Sequence, residues 1–232
     1  MEPAVRAKDP RQIGLDPHGE RMSKSPPPPT AFSRWMRRNA RKRFLHIRPF
    51  VEGDHLLDVG SAEGWVGEWA VRQTGMAVDL VDVVNLNRTA LPHRVYDGRR
   101  LPFPDRSRDT VSLLLTLHHC EEPETVLAES ARVARKRVIV TESVYRTRPG
   151  KVVLSVFDRA FNGPRARGSM PPALHFKTVG EWHSLFTRHG LRIVHEDWLS
   201  RGFHQQRLFV LEPGHRSRPA SSRSHSHPDL PR

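Results

Sequence analysis

Short apolar runs alternate with helical stripes along most of the chain. The runs predict strands at 55–59, 76–81, 94–96, 110–117, 137–141, 191–198 and 207–211. Helical spacing predicts helices after Gly64, from Glu121–Glu124 onward, and from the capping-box sequence Thr178–Glu181. Strands that alternate with helices specify a mainly parallel sheet covered on both faces. We therefore predict an α/β fold with a seven-stranded, mostly parallel sheet, an antiparallel last strand and helices on both faces.

The two ends of the chain differ in composition from its middle. Residues 1–30 lack hydrophobic periodicity and contain four consecutive prolines, and residues 214–232 are rich in Ser and His. Such segments predict disordered tails around one domain at 31–213. Within that domain, residues 31–50 interleave aromatic and aliphatic side chains with arginines, which predicts an amphipathic helix that leads into the domain. This basic and aromatic pattern is typical of a nucleic-acid or membrane surface, and a helix that packs its apolar side on the domain is the other interpretation.

The charge is concentrated at the ends. The 232 residues carry a formal net charge of +13. Residues 1–50 hold 12 Lys and Arg against 4 acids, whereas residues 51–213 hold 22 against 20. A basic arm can bind phosphates, so RNA is one partner class that the tails suggest. A solvated tail without a partner is the other interpretation, and the sequence leaves both open.

Several classes of protein are excluded or disfavoured by composition. The single cysteine, Cys120, excludes an intramolecular disulfide and a Cys-rich zinc site, and we predict no metal site. No stretch approaches the roughly 18 apolar residues that cross a bilayer. The first residues also lack the apolar segment of a secretory signal. We therefore expect a cytoplasmic protein.

The first predicted strand runs into a glycine-rich turn with the sequence Leu56-Leu57-Asp58-Val59-Gly60-Ser61-Ala62-Glu63-Gly64. Glycine lets the chain turn sharply and lets a ligand approach the backbone. The spacing is not the Gly-x-Gly-x-x-Gly of dinucleotide-binding proteins, which disfavours an oxidoreductase. A carboxylate two residues before Gly60 would repel a pyrophosphate and attract a cation. S-adenosylmethionine, which carries an ammonium and a sulfonium, is a ligand of that kind.

This turn resembles the first motif of the class I S-adenosylmethionine-dependent methyltransferases, apolar-apolar-Asp-x-Gly-x-Gly-x-Gly, with Ala62 at the middle glycine. The Leu-His-His sequence at 117–119 is similar to the small-molecule, type 11-like branch. The resemblance implies a Rossmann-like fold and S-adenosylmethionine as cofactor. It also implies cofactor contacts at strand ends, from Asp58, Gly60, Ser61, Ala62, Gly64, Asp82, Val83, Asp97, Gly98 and Leu117. Asp82 is preferred to Asp79 for the ribose, because the second strand stays apolar up to Asp82.

Methyl transfer by this family is an in-line displacement that depends mainly on alignment of the two reactants. His118 and His119 follow the fourth strand, where acceptor and cofactor would meet, and either is a candidate base. A structural role for these histidines is the alternative. The segment 143–176 is a candidate substrate lid, and Glu142, Phe157 and His175 are candidate substrate contacts.

Three functions remain open on the sequence. The first is methyl transfer to a small organic acceptor. The second is methylation of rRNA or tRNA with the basic residues of 34–43 as an RNA-binding arm. The third is a non-catalytic protein of the same fold that binds the cofactor. The sequence predicts neither the acceptor nor the oligomeric state.

Overall fold

The structure, a computed structural model, describes residues 31–147, 149–156, 175–202 and 204–214. The predicted tails, apart from Gly214, and most of the predicted lid lie outside the described residues.

The described residues form seven strands, helices and short turns in alternation. The strands are β1 (His55–Val59), β2 (Ala77–Asp82), β3 (His93–Val95), β4 (Arg108–Leu114), β5 (Ala134–Ser143), β6 (Leu191–Ser200) and β7 (Gln206–Pro213). The helices are α1 (Ala31–Ile47), α2 (Trp65–Thr74), α3 (Pro123–Val133) and α4 (Val179–Arg188). Residues 149–156 are also helical. Two 3-10 turns cover Arg48–Phe50 and Leu117–His119.

All seven strands belong to one sheet in the order β3-β2-β1-β4-β5-β7-β6. Strands β1 to β5 pair in parallel, and β7 pairs antiparallel to both β5 and β6. The predicted fold, a mostly parallel sheet with an antiparallel last strand, is confirmed. The chain order reverses between β1 and β4, so the sheet has a switch point there, where α/β proteins bind ligands.

The sheet buries apolar side chains on both faces, because successive strand residues point to opposite sides. Leu56 and Leu80 pack on one side with Phe44 of α1 and Ala70 of α2. On the other side, strand residues such as Leu57, Val111 and Val140 pack with residues of α3 and α4, among them Val126, Leu127, Trp182 and Phe186. The predicted amphipathic helix therefore packs its apolar side on the domain.

Local sequence explains where the elements begin and end. At the start of α4, Thr178 Oγ1 accepts the N–H of Glu181 at 3.2 Å, and the Glu181 carboxylate accepts the N–H of Thr178 at 2.7 Å. The predicted capping box is thus confirmed. Gly75, in the left-handed region at φ 72°, ends α2 as predicted.

Two of the boundaries that differ from the prediction have a clear physical cause. The helix expected to reach residue 50 ends at Ile47 and continues as the 3-10 turn that contains Pro49, because proline cannot donate the next helical hydrogen bond. The strand expected to reach Leu117 ends at Leu114. Leu115 has a φ of +60°, which takes the backbone out of the extended region.

Candidate active site

A cavity of about 610 Å³ opens at the carboxyl ends of β1, β2 and β4. Asp58, Asp82 and Asp97 all line it. The side chains or backbones of Gly60, Ser61, Ala62, Val83, Gly98, His118 and His119 line it as well. The switch point of the sheet therefore brings together most of the predicted site residues.

The turn after β1 has a backbone that only small residues tolerate. Gly60 has φ +70°, its N–H donates to the carbonyl of Val81 at 2.8 Å, and a Cβ there would come within 2.3 Å of the Thr116 side chain. Ala62, at the middle-glycine position, also has a positive φ of 49°. Its N–H donates to Oδ2 of Asp82 at 2.8 Å, which ties the turn to the end of β2.

Asp58 is a buried carboxyl at the floor of the cavity, 3 % exposed. Ser112 of β4 donates its hydroxyl to Oδ1 of Asp58 at 2.8 Å. Burial raises the pKa of Asp58 to about 7, against the lowering effect of the Ser112 hydrogen bond. An arriving cation would favour the ionised form of this group.

Asp82 and Asp79 face different surroundings. Asp82 accepts the N–H groups of Ala62 and Val83, and it lines the cavity. Asp79 is instead engaged by Arg108, with an N···O distance of 2.7 Å, and by His55 at 3.1 Å. Asp82 is thus the acid of β2 that can reach a ligand in the cavity.

Asp97 follows β3 at the open side of the cavity and is exposed. Its Oδ1 accepts the N–H groups of Arg100 and Arg99, and these hydrogen bonds lower the pKa of the Asp97 carboxyl. Gly98, at φ +78°, lines the cavity beside it. Asp97 is therefore an ionised acceptor held by its own turn.

The cavity also contains buried polar atoms that no described residue satisfies. Ser61 Oγ and Trp65 Nε1 are buried without a hydrogen-bond partner among the described residues, and both residues line the cavity. Buried polar atoms without partners are rare, and a bound ligand is one way to satisfy them. With three acids and a tight turn around them, these atoms fit a nucleoside that carries ammonium, carboxylate and hydroxyl groups, as S-adenosylmethionine does.

His118 lies in the wall of the cavity and is held from behind by Glu142. Its Nδ1 is 2.6 Å from Oε2 of Glu142, whose Oε1 accepts the N–H of Leu117 at 2.8 Å. Both side chains are buried. The His118 ring also stacks on Phe176, with centroids 4.7 Å apart, and lies 4.3 Å from the ring of His119. A carboxylate on Nδ1 fixes the orientation of the imidazole and favours Nε2 as its proton-accepting nitrogen.

Some expected contacts occupy other places. Gly64 caps α2 outside the cavity lining, at φ +77°, and a Cβ there would come within 2.7 Å of Leu80. Leu117 is fully buried in the core. Glu142, expected as a substrate contact, is fully buried behind His118 and is not among the described residues that line the cavity.

The other two predicted substrate contacts are His175 and Phe157. The backbone N–H of His175 donates to the carbonyl of His118 at 3.3 Å, but among the described residues Phe176 lines the cavity in its place. Burial lowers the pKa of His175, and Lys177 and Lys151 act in the same direction. Phe157 lies outside the described residues.

Sequence reasoning missed two groups of cavity residues. Helix α1 contributes Trp35, Met36, Ala40 and Arg43 to the wall. The ends of β5 and β7 contribute Ser143, His204 and Gln206, and Ser143 Oγ is 2.6 Å from Nε2 of His204. These residues are far from the motifs along the chain. The amphipathic pattern of 31–50 is the signal that could have placed α1 against the strand ends.

The described residues contain neither a candidate metal cluster nor a helix that could cross a membrane. No group of three or more His, Cys, Asp or Glu residues in this part of the chain could hold a metal ion. None of its helices is long and apolar enough to pass through a bilayer.

Comparisons with known proteins agree with the motifs. Residues 57–140 match a family model described as a methyltransferase domain. The 27-O-demethylrifamycin SV methyltransferase of Amycolatopsis mediterranei is 33 % identical over 109 residues, which is 40 % of this chain and 39 % of that protein. The phosphatidylethanolamine N-methyltransferase of Cereibacter sphaeroides is 36 % identical over 93 residues, with the same coverage. The chain thus spans about two fifths of the length of these curated relatives.

A solved structure shows the same fold. It is the geranyl diphosphate C-methyltransferase of Streptomyces coelicolor A3(2), in complex with Mg²⁺, geranyl-S-thiolodiphosphate and S-adenosyl-L-homocysteine. The TM-score is 0.60 at 14 % identity, over 74 % of this chain and 75 % of that chain. The motifs, the fold and the family match over residues 57–140 together make the chain similar to the class I S-adenosylmethionine-dependent methyltransferases of the type 11 branch.

Proposed function

We propose that this protein transfers a methyl group from S-adenosylmethionine to a small organic acceptor by in-line displacement. The observation that carries the proposal is that one cavity is lined both by the acids at the strand ends and by His118, which the buried Glu142 holds from behind. Binding of the cofactor would require only the acids. A histidine oriented by a buried carboxylate adds a group suited to accepting a proton.

The cofactor half of the cavity would be formed by the ends of β1, β2 and β3. Asp58 and Ser61 suit the amino-acid part of the cofactor, Asp82 suits the ribose hydroxyls, and Asp97 with Gly98 suits the adenine. When bound, S-adenosylmethionine supplies an activated methyl group on a sulfonium. The protein then has to hold the acceptor in line with that methyl and keep water out, which can lower the barrier by roughly 7–11 kcal/mol.

The acceptor half has an apolar side and a polar side. Leu154 and Phe176, both buried, supply the apolar side. Ser143, His204 and Gln206 supply hydrogen-bonding groups at the ends of β5 and β7. Such a lining suits an organic molecule with one polar group. Two relatives whose names describe small-molecule or lipid methylation support that acceptor class.

His118 would take the proton of the acceptor nucleophile on Nε2, with Glu142 as the positioning residue on Nδ1. Glu142 stabilises the imidazolium that forms and keeps the ring aimed at the acceptor. Rigid support comes from Phe176, which stacks on the ring, and from the hydrogen bond between Glu142 and the Leu117 N–H.

The test is incubation of the protein with S-adenosylmethionine labelled in the methyl group and with cell extract, followed by separation of small molecules, RNA and protein. The expected result is label in a small molecule. His118→Gln should lower transfer about 10²-fold or more at unchanged cofactor affinity. His189→Gln, at the C-terminal end of α4 and outside the cavity lining, is the matched control and should transfer at the parental rate.

Glu142→Gln separates positioning from simple loss of structure. A glutamine can donate to Nδ1 where the carboxylate accepts, so the variant should shift the pH profile of the rate as well as lower it. Full turnover by His118→Gln would exclude the base role. Cofactor binding without label in any acceptor would indicate a non-catalytic binding protein, and label in RNA would indicate an RNA methyltransferase.

A further inference from the structure

The outer side of α1 is strongly basic. The helix contains no acidic residue in its 17 positions. Its exposed cations Arg34, Arg38, Arg41 and Lys42 recur at helical spacing, and we call them the basic face. The opposite side of the helix is anchored in the core by Ala40, Phe44 and Ile47, which are at most 2 % exposed. The basic face therefore has a fixed orientation toward solvent.

Large apolar side chains accompany this basic face in solvent. Leu45, on the outer side of α1, is 38 % exposed, and Trp35, at the edge between that side and the cavity, is 52 % exposed. The helical residues 149–156 expose a second set, Val152, Val153 and Val156, at 63 %, 36 % and 62 %, which we call the valine patch. Most of the large exposed hydrophobic residues of the described chain thus belong to these two segments.

Both segments border the cavity. Trp35 and Met36 line it from α1, and Leu154, one residue from the valine patch, lines it from the other segment. Lys151, next to the patch, is exposed and lies 5.7 Å from the ring centroid of Tyr145. Cations and exposed apolar side chains therefore occur together on two segments that each contribute other residues to the cavity wall.

We propose that these elements form a docking surface for a membrane that contains anionic phospholipid. Cations on a helix attract an anionic headgroup layer, and interleaved Trp, Leu and Val side chains gain free energy when they enter the boundary between headgroups and acyl chains. A nucleic acid would use the cations, but its phosphates would give the aliphatic valine patch no burial.

The experiment is co-sedimentation of the full chain with vesicles of phosphatidylcholine alone and of phosphatidylcholine with about one third phosphatidylglycerol. Binding is expected to the anionic vesicles, and to weaken as salt rises. Arg34→Glu with Arg38→Glu should weaken it at least about tenfold. Val152→Ser with Val156→Ser should weaken it several-fold without any change of charge. None of these residues lines the cavity, so cofactor affinity should stay at the parental value in both variants.

The charge control is Lys136→Glu with Arg188→Glu, two exposed cations outside α1 that pair with Asp109 and Glu124. This variant should sediment with the vesicles as the parent does. An equal loss in the control would mean that only net charge matters and would overturn the proposal. So would failure to bind anionic vesicles. Binding to an RNA fragment that is tighter than to vesicles and insensitive to the valine substitutions would identify a nucleic-acid surface instead.

Discussion

At the scale of single residues, backbone strain coincides with the cavity. Three described residues other than glycine have positive φ, and two of them, Ala62 and Leu115, line the cavity. Each is held by a hydrogen bond from its N–H, to Asp82 in one case and to the carbonyl of Thr141 in the other. Strained conformations persist where the surrounding structure over-determines them, and they cluster at functional sites.

Ala62→Gly should relieve one of these strains. An L-residue in the left-handed region is destabilised by about 1–2 kcal/mol, part of which the greater flexibility of glycine in the unfolded chain offsets. We expect the free energy of unfolding to rise by up to about 1 kcal/mol, measured as a higher denaturant midpoint at an unchanged slope. Ala128→Gly, inside α3, is the control and should lose about 1 kcal/mol. A loss of similar size in both variants would contradict the strain at Ala62.

Asp58 should make cofactor binding depend on pH. Burial raises its pKa to about 7, so the cofactor-free protein holds this carboxyl protonated below that pH. A cationic ligand favours the ionised form, so affinity should fall by up to about tenfold per pH unit below pH 7 and level off above it. Calorimetric titration of S-adenosyl-L-homocysteine at several pH values, over the range in which the protein stays folded, measures this.

The pH dependence of stability has the opposite sign to that of cofactor affinity. Because the pKa of Asp58 in the folded protein lies above the usual value of 3.8 for an aspartate, its contribution to the stability of the free protein is present at low pH and is lost as the pH rises through about 7. Asp58→Asn should make both cofactor affinity and the free energy of unfolding less dependent on pH. Asp105→Asn, an exposed acid paired with Arg132, should leave them unchanged. A pH-independent affinity in the parent would show that Asp58 is not the group that meets the cation.

At the scale of elements, apolar runs and end signals were enough to place the seven strands and the helices α1 to α4, but not the helical residues 149–156. A run such as 55–59 predicts a strand because its leucines and valine place apolar side chains on both faces, and Thr178 with Glu181 predicts a helix start by known hydrogen bonds. Two of the boundary errors came where one residue, Pro49 or Leu115, interrupts a helical or apolar pattern. Leu115 ends β4 by a positive φ that its side chain does not signal, so the periodicity continued past the real end of the strand.

The capping box offers a test at this scale. Thr178→Ala removes the hydroxyl that accepts the N–H of Glu181, and it should lower the free energy of unfolding by about 1 kcal/mol. Thr178 does not line the cavity, so cofactor affinity should stay the same. Thr187→Ala near the other end of α4, where the hydroxyl only bonds back to the carbonyl of His183, is the matched control. Equal losses would mean that the box adds nothing.

At the scale of the whole molecule, the site has a half that the sequence predicts and a half that it does not. The acids at 58, 82 and 97 lie at or just after the ends of β1, β2 and β3, which are consecutive along the chain, and strand ends of a parallel sheet meet at one edge. The other half comes from α1, Ser143, His204 and Gln206, which only the closed fold brings to the same cavity. For the same reason, Glu142 could be expected near the site but not behind His118.

The most direct test of the whole account is a crystal structure of the protein with S-adenosyl-L-homocysteine. The account predicts the adenosine part between Asp82 and Asp97, the amino-acid part beside Asp58 and Ser61, and the sulfur on the side of the cavity that His118 lines. A ligand bound elsewhere, or bound in this cavity with its sulfur turned away from His118, would contradict it.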